Sequence, residues 1–129
     1  MRSKSFSVRT GARVEIRLIT RDVEAALAEI GVAEGLCTIL VPHTTAAVSI
    51  NENADPDVPL DVSRALEALV PDVPFDHGEG NSDAHFLSTL IGVSVTVPYR
   101  GRLLLGRWQG IYFVELDGPR TREVQVWVQ

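Results

Sequence analysis

Apolar and polar positions alternate near both ends of the chain and fall at helical spacing in three stretches between. Ser5–Arg9 and Arg13–Ile19 put Phe6 and Val8, then Val14, Ile16 and Leu18, on one face across Thr10-Gly11-Ala12. That pattern predicts a hairpin with one buried face. A helix is expected over 21–30, with Thr20 as N-cap, Asp22 and Glu24 in its first turn, a stripe of Val23, Ala26, Leu27 and Ile30, and Gly31 as its stop. Leu36–Val41 and Ala46–Asn51 read as strands, the second with Val48 and Ile50 on one face and Ala47, Ser49 and Asn51 on the other. A second helix is expected over 56–69, with Val62, Ala65, Leu66 and Leu69 inward. A third is capped by Asn81 or Ser82 and ends at Gly92, with Ala84, Leu87, Leu90 and Ile91 apolar. Val93–Val97, Leu103–Leu105, Trp108–Leu116 and Thr121–Val128 are the remaining strands, the last two a meander through Asp117-Gly118-Pro119. Paired strands with helices between the pairs predict one α+β domain over 1–129 with mostly antiparallel sheet. A doubly wound nucleotide fold is excluded, because regular βαβ units and a glycine-rich turn are both missing.

The segment 108–116 is apolar on both faces: Trp108, Tyr112, Val114 and Leu116 on one, Ile111 and Phe113 with Gln109 and Glu115 on the other. Such a strand is covered twice, either by a helix of its own chain or by a second copy of the protein.

With 129 residues the chain is long enough for one core without staples. No apolar run reaches the roughly 20 residues of a membrane span. The start of the chain carries charge without an apolar signal region, and Cys37 is the single cysteine, so a cytoplasmic protein without disulfides is expected. Twelve basic residues against seventeen acidic ones give a net charge of −5, which argues against a nucleic-acid partner. The charge is uneven: residues 51–83 hold nine acids and one base, Arg64. All three histidines (His43, His77, His85) and all three asparagines (Asn51, Asn53, Asn81) lie between 43 and 85. A solvated acidic helix explains the charge alone; a cation site explains the histidines and asparagines as well.

Three histidines are a common donor set for an open zinc site, and imidazole also suits iron, copper and nickel. His43 ends a strand, His77 sits in a loop and His85 lies on a helix, one turn after Asn81. Glu79 is placed to act as base or to orient a histidine. Cys37 is excluded as the partner of His43, since six residues of strand hold them roughly 20 Å apart. Gly78-Glu79-Gly80-Asn81-Ser82 runs into a helix start whose amides suit an anion.

Three stretches, CTILVPHTTAAVSINENADPDV (37–58), HGEGNSDAHFLSTLIGVSVTVP (77–98) and LLLGRWQGIYFVELDGPRTREV (103–124), resemble the YjbQ family of secondary thiamine-phosphate synthase-like proteins. The resemblance covers nearly the whole chain. It implies a two-sheet α+β pseudo-barrel capped by helices and assembled as a homotrimer; together with the doubly apolar segment, it points to strands near Trp108–Leu116 or Val93–Val97 as the subunit contacts. It also implies a site drawn from His43, Thr44, Thr45, Asn53, His77, Glu79, Asn81 and His85. The family's G-T-W-Q segment stands here as Gly106-Arg107-Trp108-Gln109, with Arg107 in place of a threonine. The implied reaction joins a pyrimidine pyrophosphate to a thiazole phosphate. His43, Glu79 and His85 are its expected catalytic groups, and His43, His77 and His85 the ligands of a divalent metal, zinc or magnesium. Thr44, Thr45, Asn53, Asn81, Arg107 and Arg120 are expected to hold the small phosphorylated substrate. A metal-dependent hydrolase or lyase, and a non-catalytic metabolite- or metal-binding trimer, are the alternatives.

Overall fold

In the computed structural model, which describes residues 1–129, the expected order of elements is present: β1 (Arg2–Arg9), β2 (Glu15–Leu18), α1 (Thr20–Ile30), β3 (Glu34–Leu40), β4 (Ala46–Glu52), α2 (Asp57–Leu69), α3 (Ser82–Ile91), β5 (Ser94–Arg100), β6 (Gln109–Glu115) and β7 (Thr121–Val128). The strands form two antiparallel sheets, ordered β1-β7-β3-β5 and β2-β6-β4. The inner face of the first supplies Val8, Cys37, Ile39, Val97, Val124, Val126 and Val128. The second supplies Val48, Ile111 and Phe113, and α1 closes the core with Val23, Ala26 and Leu27. These are the inward positions of the alternating and helical patterns, so the α+β two-sheet expectation holds.

Pairing differs from the sequence expectation in three places. Residues before and after Thr10-Gly11-Ala12 do not form a hairpin: β1 pairs with β7 and β2 with β6. The segment carries the chain from one sheet to the other, held by the Thr10 amide on the Arg120 carbonyl (2.9 Å) and the Gly118 amide on the Arg13 carbonyl (2.9 Å). Likewise β6 and β7 are no meander, because the 116–120 turn also crosses between sheets. Leu103–Leu105 makes a single bridge, Leu103 to Tyr99, in place of a strand.

Helix ends show local corrections. Ile19, not Thr20, occupies the N-cap of α1, and the Thr20 hydroxyl instead accepts the Ile111 amide at 2.9 Å. Gly31 does end α1, in the left-handed conformation (φ 77°) where a side chain would be strained. Asn81 holds the N-cap position of α3 but makes no cap bond: its side-chain amide donates to Asp117 (3.0 Å), and its buried Oδ1 has no partner.

The second face of β6 is covered from within the chain. Val114 and Leu116 pack with Ala47 against Ala84 and Leu87 of α3, flanked by Ile16, Leu66, Val70, Phe86 and Ile91. Of the two coverings left open by the sequence, this face has the intramolecular one. α2 lies on it lightly: Val62 and Leu66 are half-buried, Ala65 and Leu69 are exposed, and no residue of the helix is fully buried. The small apolar cavity under it, bordered by Val58, Val62, Leu66, Tyr112 and Val114, measures about 70 Å³. That is far below the roughly 300 Å³ where ligand pockets begin.

Candidate functional site

Three direct crossings between the sheets, residues 10–14, 41–45 and 116–120, meet around one buried ion pair. Glu115 ends β6 on the same face as Ile111 and Phe113, and Arg122 opens β7 on the same face as Val124 and Val126. Both are buried, and the Arg122 Nε donates to the two Glu115 oxygens at 2.9 and 3.1 Å. A buried pair is tolerable only when its other lone pairs and protons are satisfied, and here both Glu115 oxygens and the Nε and Nη2 of Arg122 have partners. Glu115 also accepts from the Thr10 hydroxyl (2.7 Å) and the Leu116 and Asp117 amides, while the Arg122 Nη2 donates to the carbonyl and hydroxyl of Thr45 (3.1 and 3.0 Å). These hydrogen bonds, with the Arg122 charge, hold the Glu115 carboxyl below its ordinary pKa despite the opposing effect of burial, the largest single influence. The Glu115–Arg122 pair was missed in the sequence. Its signal was there: an acid and a base at inward positions of two otherwise apolar strands.

Immediately beyond this network, His43 in the 41–45 crossing accepts the Glu123 backbone amide on Nε2 at 2.9 Å. Its ring borders an open polar cleft of about 470 Å³, together with Thr44, His85, Ser88, Thr89, Gly92 and Val93. The α3 side chains reach the cleft from one helical face, one turn apart. Two of the hydroxyls are committed inside the protein, Ser88 donating to the Ala46 carbonyl (2.9 Å) and Thr89 to the His85 carbonyl (2.8 Å). Burial, followed by the Arg122 charge, lowers the His43 pKa, against the pull of the Glu115 and Glu123 carboxylates.

The residues expected at the site fall into separate groups. His43, Thr44 and His85 share the cleft, and His77, on the exposed 71–80 loop, stands edge-on to His85 with ring centroids 5.4 Å apart. Thr45 is buried, with both its polar groups turned to Arg122. Asn81 and Arg120 meet on Asp117, Arg120 through its carbonyl and carboxylate, and Arg13 adds a bidentate pair with Asp83. Asp117 is thereby held below its ordinary pKa, burial again opposing. Asn53 and Arg107 lie at the opposite end of β6 from Glu115. Asn53 bonds the Trp108 and Gln109 backbone, and Arg107 stacks over the Trp108 ring at 4.8 Å. Glu79 is exposed on the loop.

A three-histidine metal centre does not fit the donors within one chain. No group of three histidine, cysteine or carboxylate side chains is placed to hold an ion, and the Nε2 lone pair of His43 is already taken by the Glu123 amide. What the cleft offers is imidazole and hydroxyl, a polar surface suited to hydrogen-bonding an oxygen-rich ligand.

Comparison with known proteins agrees with this fold. Protein YugU of Bacillus subtilis is 49% identical over 122 residues, covering 92% of this chain and 92% of that protein. A Methanocaldococcus jannaschii protein is 48% identical over 123 residues, covering 94% of this chain and 89% of its own. A crystal structure from Clostridium acetobutylicum, described as an uncharacterized conserved protein of the YjbQ/UPF0047 family, superposes with a TM-score of 0.92 at 44% identity, over 98% of this chain and 99% of that one. A hypothetical protein from Aeropyrum pernix K1 gives 0.93 at 41% identity, over 100% and 98%. The family model for UPF0047 protein YjbQ-like matches residues 4–129, and the chain belongs to that family.

Proposed function

We propose that the cleft bordered by His43, Thr44 and His85 binds small phosphorylated metabolites and that its reaction is thiamine-phosphate synthase-like coupling. The observation that carries the reading is the convergence of two imidazoles and the Thr44 hydroxyl on one open cleft of about 470 Å³, within the size range of metabolite sites. Coupling a pyrimidine pyrophosphate to a thiazole phosphate, in which the thiazole nitrogen bonds the pyrimidine's methylene carbon as its C–O bond breaks and pyrophosphate leaves, is mostly positioning and charge neutralisation. In this reading His43 and His85 hydrogen-bond phosphate oxygens, and His77, against His85, orients that ring. A divalent cation enters as the companion of the substrate's pyrophosphate, the usual way Mg²⁺ is carried. Arg120 and Asn81 belong to the Asp117 cluster and steer charge rather than touch substrate. The protein is proposed to work as a homotrimer, a reading supported by the family resemblance and by the open outer face of the β1-β7-β3-β5 sheet, where Leu36 is exposed beside Trp127.

The test supplies both thiamine precursors with Mg²⁺, Mn²⁺ or Zn²⁺ in turn and compares wild type with His85→Ala. Coupling at least tenfold above the variant supports the reading; coupling at the variant's level with every metal overturns it. Turnover of one phosphorylated substrate alone assigns a hydrolase or lyase instead, and saturable binding without turnover a metabolite-binding protein.

A further inference from the structure

The chemical form in which His43 meets the cleft is fixed by the strand behind it. The Glu123 amide is a donor, so an Nε2 that accepts from it at 2.9 Å carries no proton. The proton of the neutral ring therefore resides on Nδ1, which has no acceptor within the protein. A doubly protonated ring would set an N–H against the Glu123 N–H and lose that bond. Zinc would have to displace either the Nδ1 proton or the Glu123 amide.

The amide itself is held in register. Glu123 follows Arg122, whose guanidinium is locked on Glu115 and reaches across to the Thr45 carbonyl and hydroxyl, two residues after His43. Arg122 and Glu123 thus grip both ends of the short 43–45 segment, one by side chain and one by backbone. That segment has no strand pairing of its own between β3 and β4; apart from the Leu116 amide on the Thr45 carbonyl (3.3 Å), this grip is what sets the ring's angle and its tautomer.

We infer that His43 serves the cleft as a neutral Nδ1–H hydrogen-bond donor to an anionic oxygen, with Arg122 as the positioning residue that keeps Nε2 on the Glu123 amide. The inference rests on the cleft being the ligand site, but on no particular reaction there. Its ligand class is an oxyanion, phosphate or carboxylate, that accepts a hydrogen bond without needing a cation from the histidine.

Long-range ¹H–¹⁵N correlation spectra of the full chain read the tautomer of each histidine directly, independently of any synthase assay. In the unliganded wild type, His43 should show a pyrrole-type Nδ1 and a pyridine-type Nε2. Inorganic phosphate should shift the Nδ1 resonance and leave the tautomer unchanged, whereas Zn²⁺ alone should leave both His43 nitrogens in place. Thr45→Val, which keeps the volume and removes one Arg122 contact, should raise the Nε2–H population severalfold; Arg122→Lys should raise it further. An Nε2–H wild type, or coordination of zinc by His43, overturns the donor assignment. A folded Thr45→Val with an unchanged tautomer population overturns the role of Arg122, so that part stands or falls even if Arg122→Lys does not fold. Phosphate that shifts only His77 or His85 overturns the ligand contact. None of these outcomes depends on thiamine coupling, so the two readings fail separately.

Discussion

Glu115 and Arg122 show how much a single buried pair can demand of its surroundings. Truncating one partner leaves the other charge buried without compensation, at a cost of roughly 3–5 kcal/mol. Arg122→Ala should therefore lower the unfolding free energy by about that amount in urea titrations. The pair also sets the acid limb of stability. Because the folded-state pKa of Glu115 lies below its ordinary 4.5, the unfolded chain takes up the proton first; the stabilisation is complete above 4.5 and is lost as pH falls through the folded value. Asp117, depressed from 3.8, acts in the same direction, and so does His43, whose neutral form is favoured on folding and whose contribution begins to fade as pH drops below 6.5. Melting temperature should thus fall steadily from pH 7 towards pH 3, and Glu115→Gln, already less stable, should show a shallower slope below 4.5, with the Asp117 contribution remaining. Cys37 is the opposite case. Burial without a charged partner pushes its thiol up to about 11, so the thiolate is scarce at neutral pH. Iodoacetamide should modify it in urea and leave it intact in the native protein; rapid native labelling would contradict its burial.

At the level of elements, the two helices on the outer face of the β2-β6-β4 sheet differ in how firmly they are held. α3 buries Ala84, Leu87 and Ser88, whereas α2 buries nothing completely. Leu87→Ala should cost about 2–5 kcal/mol, the range for a core leucine. Leu69→Ala, at a side chain 54% exposed, should stay within about 0.5 kcal/mol. Hydrogen exchange checks the same contrast without mutation: amides of α2 should exchange well before those of β6, whose residues Gly110–Glu115 are all buried. The distinction bears on the cleft, since His85 rides on the firmly packed helix while His77 meets the His85 ring from the exposed loop that follows α2.

For the whole molecule, the two sheets and α1 enclose the main core, and α2 and α3 roof the second sheet. The outer face of the first sheet has no such roof. Light scattering on purified protein should return three times the 14.1 kDa chain mass if the proposed trimer forms; a 14.1 kDa particle at micromolar concentration rejects it.

The amino-acid sequence by itself determined the ten elements to within a few residues, with one strand too many at 103–105, and the inward face of strands such as β3 and β7, because side-chain alternation and helical spacing are properties of neighbouring residues. Val124, Val126 and Val128, or Val23, Ala26 and Leu27, announce their burial locally. It also placed His43 and His85 in one candidate site, by concentrating scarce residue types in one third of the chain, and the family resemblance added Thr44. Only the tertiary structure decided which strand pairs with which. Every strand edge offers the same row of amides and carbonyls, so β1 next to β7 and β2 next to β6 carry no local mark, and the crossing at residues 10–14 looks like any hairpin turn. For the same reason the tertiary structure alone sent Thr45 to Arg122, Asn81 to Asp117 and the Glu123 amide to His43. Those partners are 77, 36 and 80 residues apart along the chain. A hydrogen-bonding side chain states in the sequence that it needs a partner; which one it finds is settled only when the two sheets close on each other.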